Sequence, residues 1–248
     1  MTGLGASLLL ARITWKRMLR GRALWLTLVM LAMPLVMVLA GPRDPGRWRV
    51  PVNVFSFLLA VVPPLHLATA ISDEVEDQTI TYLWSRPIAR WSLLAGKMIA
   101  VVPALIAVFA VAMAAAFVAL YGGSSADHLD VLVRGIAGVS VGVVAIGMLA
   151  IGFGSVMPKY PLAVVVAYML IVDLAVGKIP FAVNALSITH HVRTIAGVPE
   201  KFERYAAQAG LYDAGTVMES VVWALAIGAA WFGLALWRVS RAEYANKG

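Results

Sequence analysis

The sequence predicts an all-α polytopic membrane protein with six transmembrane helices. An interfacial amphipathic helix precedes the first of them, and a polar cytoplasmic segment separates the second from the third. Three observations carry this. The 248 residues are 61% hydrophobic and only 13% charged, against about 25% charged in soluble domains. The apolar runs are continuous over lengths near the ~20 residues that a helical span needs. They do not alternate with period two, as the strands of a barrel would. Finally, the charges collect at the ends of the apolar runs and in one block between them.

The first element is residues 4–20. On a helical wheel Arg12, Lys16, Arg17 and Arg20 gather on one side and Leu8, Ala11, Trp15, Met18 and Leu19 on the other, which describes a basic helix lying in the headgroup plane. The first span, about 23–40, carries Pro34 and is expected to kink there. The five basic residues ahead of it place the N-terminus in the cytoplasm. An external turn follows, with Trp48 expected at the far interface. The second span, about 51–71, contains Pro63-Pro64, and Pro63 disfavours helical geometry at Val62, so a break is expected.

The polar segment is 72–96, and the third span is about 97–121. The fourth, about 133–156, contains Gly138-x-x-x-Gly142, a spacing that permits close helix approach. The fifth is about 161–177 and carries Asp173 near its outer end. An extracytoplasmic segment, 178–216, includes an expected surface helix at 199–209 that starts at Pro199 and closes at Gly210. The last span, about 217–237, returns the C-terminus to the cytoplasm. The chain reads as a single transmembrane domain over 1–248, without an internal repeat and without a cleavable signal peptide.

The net charge of +7 resides at span ends. It therefore points to anionic lipid headgroups and topology control, and not to nucleic acid. There is no cysteine, which excludes disulfides and thiolate metal sites. No phosphate-cradling Gly-x-x-x-x-Gly-Lys-Ser/Thr, His-Glu-x-x-His or Gly-x-Ser-x-Gly motif occurs. The chain is accordingly expected to hold no nucleotide, metal or catalytic residue. The adjacent His190-His191 do not share a helix face, which argues against a metal pair there.

The densest chemistry lies in 71–97. Asp73, Glu74, Glu76 and Asp77 crowd together, and such charges stay hydrated only outside the hydrocarbon. In 79–85, Ile80, Leu83 and Trp84 fall at i, i+3 and i+4 and share one helical face. A short helix with an acidic N-terminus suits the helix dipole. Its apolar face would fit a groove on a soluble partner. An ordinary solvated, capped loop fits the same residues.

The pattern Glu-x-x-x-Gln-Thr-Ile-(x)3-Trp-Ser-Arg-Pro-Ile-Ala-Arg, followed by Ala-Gly-Lys, resembles the type-2 permease family of ABC transporters. The matching positions are Glu74, Thr79, Ile80, Leu83, Ser85, Pro87, Ile88, Arg90, Gly96 and Lys97. The family's Gly before Thr is Gln78 here, and its Ser before Arg is Ala89. The resemblance implies a coupling helix within 72–90 that docks on a separate cytoplasmic ABC ATPase, which would hold the ATP and Mg. Glu74, Glu76, Asp77, Thr79, Ile80, Leu83, Trp84, Arg86, Pro87 and Arg90 would form that contact, with Gly96 and Lys97 completing the motif. It further implies a second permease protomer, the same or paralogous, a cytoplasmic (inner) membrane location, and export.

Two ionisable residues sit inside spans, His66 and Asp173, and an intramembrane ionisable group is a translocation candidate. A structural hydrogen bond is the commoner role for a lone histidine. Asp173 is near enough to the surface to snorkel outward. The other readings are a membrane anchor or mechanical subunit of a larger ATPase-driven assembly, and a self-contained secondary transporter or membrane enzyme. The last would need His66 and Asp173 to converge.

Overall fold

In a computed structural model the described residues are 3–42, 44–68, 91–175, 182–198 and 215–241. They are helical or in turns, with no strand among them. Helix α1 is Gly3–Arg20 and α2 is Arg22–Leu39, continuous through Pro34. After a 3₁₀ turn at Pro45–Trp48 come α3, Arg49–Leu59, and α4, Val62–Leu67. Then follow α5, Trp91–Tyr121, a 3₁₀ segment Gly122–His128, and α6, Leu129–Val156. Helix α7 is Pro161–Tyr168, continued by a π-helical stretch Met169–Ala175. A 3₁₀ turn Ala182–Leu186 leads into α8, Ile188–Ile195, and α9 is Val217–Arg241.

Among the described residues four stretches are long and apolar enough to cross a membrane: Arg22–Leu39, Gly46–Leu67, Trp91–Val156 and Val217–Arg241. The third holds two helices. Gly135 of α6 faces Met113 of α5, whereas Gly147 faces Val102, so α5 and α6 run antiparallel. Pro161–Asp173 is apolar but shorter.

Several boundaries differ from the sequence expectation. Helix α5 begins at Trp91, not near 97, so the last residues of the polar segment are already helical. Its 31 residues span about 46 Å at 1.5 Å per residue, longer than a hydrocarbon core of about 30 Å. The expected break at Pro63-Pro64 falls just upstream, at Ala60–Val61. Neither proline has an N–H, so the carbonyls of Leu59 and Ala60 lose their i+4 donors, and α3 ends at Leu59. The prolines instead occupy the first turn of α4, where a missing N–H costs nothing. Trp48, expected at the far interface, faces protein. It is buried and meets Phe117 and Tyr121 edge-on, with ring centroids 5.6 and 6.2 Å apart.

The core lies where α3, α4, α5 and α6 meet, around Phe55, Leu59, Leu94, Leu105, Phe109, Ile146 and Leu149. Small residues let the backbones close. A Cβ on Gly96 would stand 2.8 Å from the Ser7 carbonyl oxygen and 2.9 Å from Leu10 Cβ, which fixes α1 against the start of α5. A Cβ on Gly228 would stand 2.7 Å from the Ala145 carbonyl oxygen, and one on Gly152 2.8 Å from Trp231 Cβ. These contacts advance in the same direction along both chains, so α6 and α9 run parallel. Helix α9 opens with a capping box: Glu219 N–H donates to Thr216 Oγ1 at 3.2 Å, and Thr216 N–H to Glu219 Oε2 at 2.6 Å.

Segment 178–216 contains a buried element. Its residues 188–195 form α8, which packs against α3, α6 and α9, with Ile188, Thr189, His190, His191, Val192 and Arg193 all buried. The glycine pair of α6 makes this possible. A Cβ on Gly138 would stand 2.7 Å from the Val192 carbonyl oxygen, and one on Gly142 2.7 Å from Val192 Cγ2. The expected helix at 199–209 lies outside the described residues.

Candidate functional site

Two polar places stand out within this apolar bundle, one towards each end. Leu67 and Ala68 of the α4 region sit by Gly147 and Gly154 of α6, whereas α8 sits by Gly138 and Gly142. The structure therefore keeps His66 and Asp173 apart, on different neighbours.

At the first end, α1, the start of α2, the end of α4, the start of α5 and the end of α6 converge. Gly96 is the seat of α1 on α5, and Lys97 beside it is buried at 7% exposure. A Cβ on Gly154 would run into the Ala68 carbonyl. The His66 imidazole, in the last turn of α4, joins Thr27 in the second turn of α2 by an Nε2–Oγ1 hydrogen bond of 2.8 Å. Thr27 is fully buried. Of the twelve expected docking residues, Gly96 and Lys97 are the two within the described set. Glu74, Glu76, Asp77, Thr79, Ile80, Leu83, Trp84, Arg86, Pro87 and Arg90 lie outside it.

At the other end, Asp173 is 1% exposed. It does not snorkel outward: the π-helical stretch turns its carboxylate in, towards the start of α8. Its Oδ1 accepts the Ser187 hydroxyl at 2.5 Å and the Thr189 backbone N–H at 3.1 Å. Ser187 is also the N-cap of α8, its Oγ accepting the His190 N–H at 3.1 Å. The carboxylate thus sits where a helix N-terminus favours negative charge. Arg193, one turn beyond Thr189, is buried as well. The far end of α8 is closed by a Schellman motif. Gly197 takes φ +70°, its N–H donating to Thr194 O at 3.1 Å and the Val198 N–H to Arg193 O at 2.9 Å. A two-turn helix placed inside a bundle, away from water, needs both ends satisfied.

His191 Nε2 donates to the Ala185 carbonyl at 2.9 Å, which occupies that ring in holding the 3₁₀ turn to α8. No group of three or more His, Cys, Asp or Glu able to hold a metal occurs among the described residues. A groove of about 370 Å³ between α2 and α5, lined by residues such as Leu28, Leu31, Val108 and Val111, is wholly aliphatic and offers no chemistry.

Sequence reasoning did not single out Thr27, Ser187, Thr189 or Arg193. Thr27 is a lone hydroxyl in an apolar run, and its partner is 39 residues away. Ser187 carried the one local signal, an N-cap residue ahead of a short polar helix.

The model of the ABC-2 family transporter protein family matches residues 51–208, well over half of the chain. No curated protein matches the sequence.

Proposed function

Because the chain belongs to the ABC-2 transporter family, we propose that it is the permease subunit of an ATP-driven ABC exporter, coupled to a separate cytoplasmic ATPase. The observation that carries this is the extent of the family match. It covers the acidic block, the apolar stretches on both sides of it, and the buried α8 region. The arrangement would comprise six spans, α2, α3–α4, α5, α6, α7 with its π-helical continuation, and α9. Both termini would be cytoplasmic, with α1 in the headgroup layer. Such an orientation puts α1, His66–Thr27, Gly96 and the acidic block together on the cytoplasmic side, and α8 in the outer half. Twelve of the twenty Lys and Arg then lie inside, consistent with the positive-inside bias. Two protomers and two ATPase subunits would form the working unit, with ATP and Mg bound on the ATPase.

The separation of His66 from Asp173 speaks against a self-contained secondary transporter or membrane enzyme. Each residue is engaged by its own structural partner, Thr27 for one, Ser187 and Thr189 for the other, and the two do not converge.

The test is co-purification of the C-terminally tagged chain from its native membrane after gentle solubilisation. A stoichiometric soluble ATPase is the expected companion. Its absence across several detergents, from an otherwise intact protein, refutes the proposal.

A further inference from the structure

Helix α4 has an unusual mechanical situation. Above it the chain is hinged. The carbonyls of Leu59 and Ala60 receive no i+4 donor, because residues 63 and 64 are prolines. What holds the joint is a pair of tight turns, Ala60 N–H to Phe57 O at 3.0 Å and Val61 N–H to Leu58 O at 3.1 Å. Along its side, α4 bears on glycine positions of α6: Leu67 on Gly147 and Ala68 on Gly154. The first is an apolar side chain on bare backbone and the second the Ala68 carbonyl against the Gly154 backbone; both are van der Waals contacts, about 0.1–0.2 kcal/mol per atom pair. Towards α2, by contrast, α4 makes a directional contact, the 2.8 Å hydrogen bond between His66 and the buried Thr27. In a low-dielectric interior such a bond is held strongly, because either partner left alone is a buried unsatisfied polar group. Directly after α4 comes Ala68, and then the segment with the acidic block.

We propose that α4 is a hinged lever and that His66 and Thr27 are its attachment to α2, so that displacement arriving at Ala68 is handed to the first span through this one polar bond. His66 and Thr27 are positioning residues. They touch neither nucleotide nor cargo, but set whether α2 follows α4. The proposal rests on the permease reading above and adds the route by which motion would leave the ATPase contact. It assigns His66 a role other than the translocation contact that its intramembrane position suggests.

The chain has no cysteine, so spin labels go only where cysteines are placed. One pair, Val36→Cys with Val133→Cys, reports α2 against α6. A second, Ile99→Cys with Met157→Cys, reports the opposite end of the bundle. All four positions are exposed. Distances are measured by pulsed electron resonance on the full chain with its co-purified ATPase in lipid nanodiscs, with and without ATP plus vanadate. In the parent, ATP shifts both distances. Thr27→Val, which keeps the shape and removes the hydroxyl, and His66→Leu abolish the Val36–Val133 shift and leave the Ile99–Met157 shift intact. Thr27→Ser and His66→Gln, which keep a hydrogen-bonding atom at the same place, preserve both. Persistence of the Val36–Val133 shift in Thr27→Val overturns the lever, as does its loss in all four variants or its loss together with the Ile99–Met157 shift. If no ATPase co-purifies, or if ATP moves neither pair in the parent, the permease reading itself fails and takes the lever with it.

Discussion

Replacing Asp173 tests most directly whether the buried cluster at α8 is a structural joint. Its carboxylate accepts two hydrogen bonds, from the Ser187 hydroxyl and the Thr189 N–H. In water-soluble proteins a bond to a charged acceptor contributes about 1.5–3 kcal/mol. In membrane bundles double-mutant cycles average about 0.6 kcal/mol per bond and reach about 1.7. Two bonds on the membrane scale give about 1–3 kcal/mol for Asp173→Ala. Asp173→Asn retains an acceptor oxygen and loses the charge, so about 1 kcal/mol is expected. The assay is reversible unfolding in mixed SDS and detergent micelles, followed by tryptophan fluorescence. Ser187→Ala and the double variant Asp173→Asn/Ser187→Ala complete a cycle whose coupling should be at least about 0.5 kcal/mol. If Asp173→Ala lies within about 0.5 kcal/mol of the parent, or if the two sites are additive, the cluster is not a structural joint. Full stability with complete loss of transport would instead return Asp173 to the translocation path.

Three further outcomes are expected. Gly96→Val puts a branched side chain where a Cβ already stands 2.8 Å from the Ser7 carbonyl. It should cost about 1–3 kcal/mol by overpacking and lift α1 from α5, seen as faster proteolysis within 3–20; unchanged cleavage would contradict the packing. Trp48→Ala removes a buried ring set edge-on to Phe117 and Tyr121, with an expected loss of about 3–5 kcal/mol, measured by the same unfolding assay. Glu74→Arg and Leu83→Asp should each abolish ATPase association while membrane insertion is unchanged. Normal pull-down by both would remove 72–90 from the docking surface.

Much of the architecture was legible without coordinates because it depends on composition and on local backbone chemistry. Continuous apolar runs predict spans, and α2, α6 and α9 fall within a few residues of where those runs place them. Two adjacent prolines, having no N–H, interrupt α3–α4 whatever surrounds them. The Gly138–Gly142 spacing announces a close approach.

What approaches was not legible. The neighbour is α8, a short polar helix whose two ends are satisfied by its N-cap, its Schellman close and Asp173. The inward turn of Asp173, the Thr27–His66 bond and the burial of Trp48 likewise join residues far apart in the chain. Each is a pairwise, directional contact whose existence depends on both partners arriving at one place. Periodicity and propensity act over a few residues and carry no information about such meetings. So the sequence by itself determined a helical membrane protein, its approximate spans, its polar block and its resemblance to the type-2 permeases. The tertiary structure decided which of the two intramembrane ionisable residues meets which partner, because in a bundle with little water a buried polar group is settled by what it can bond to.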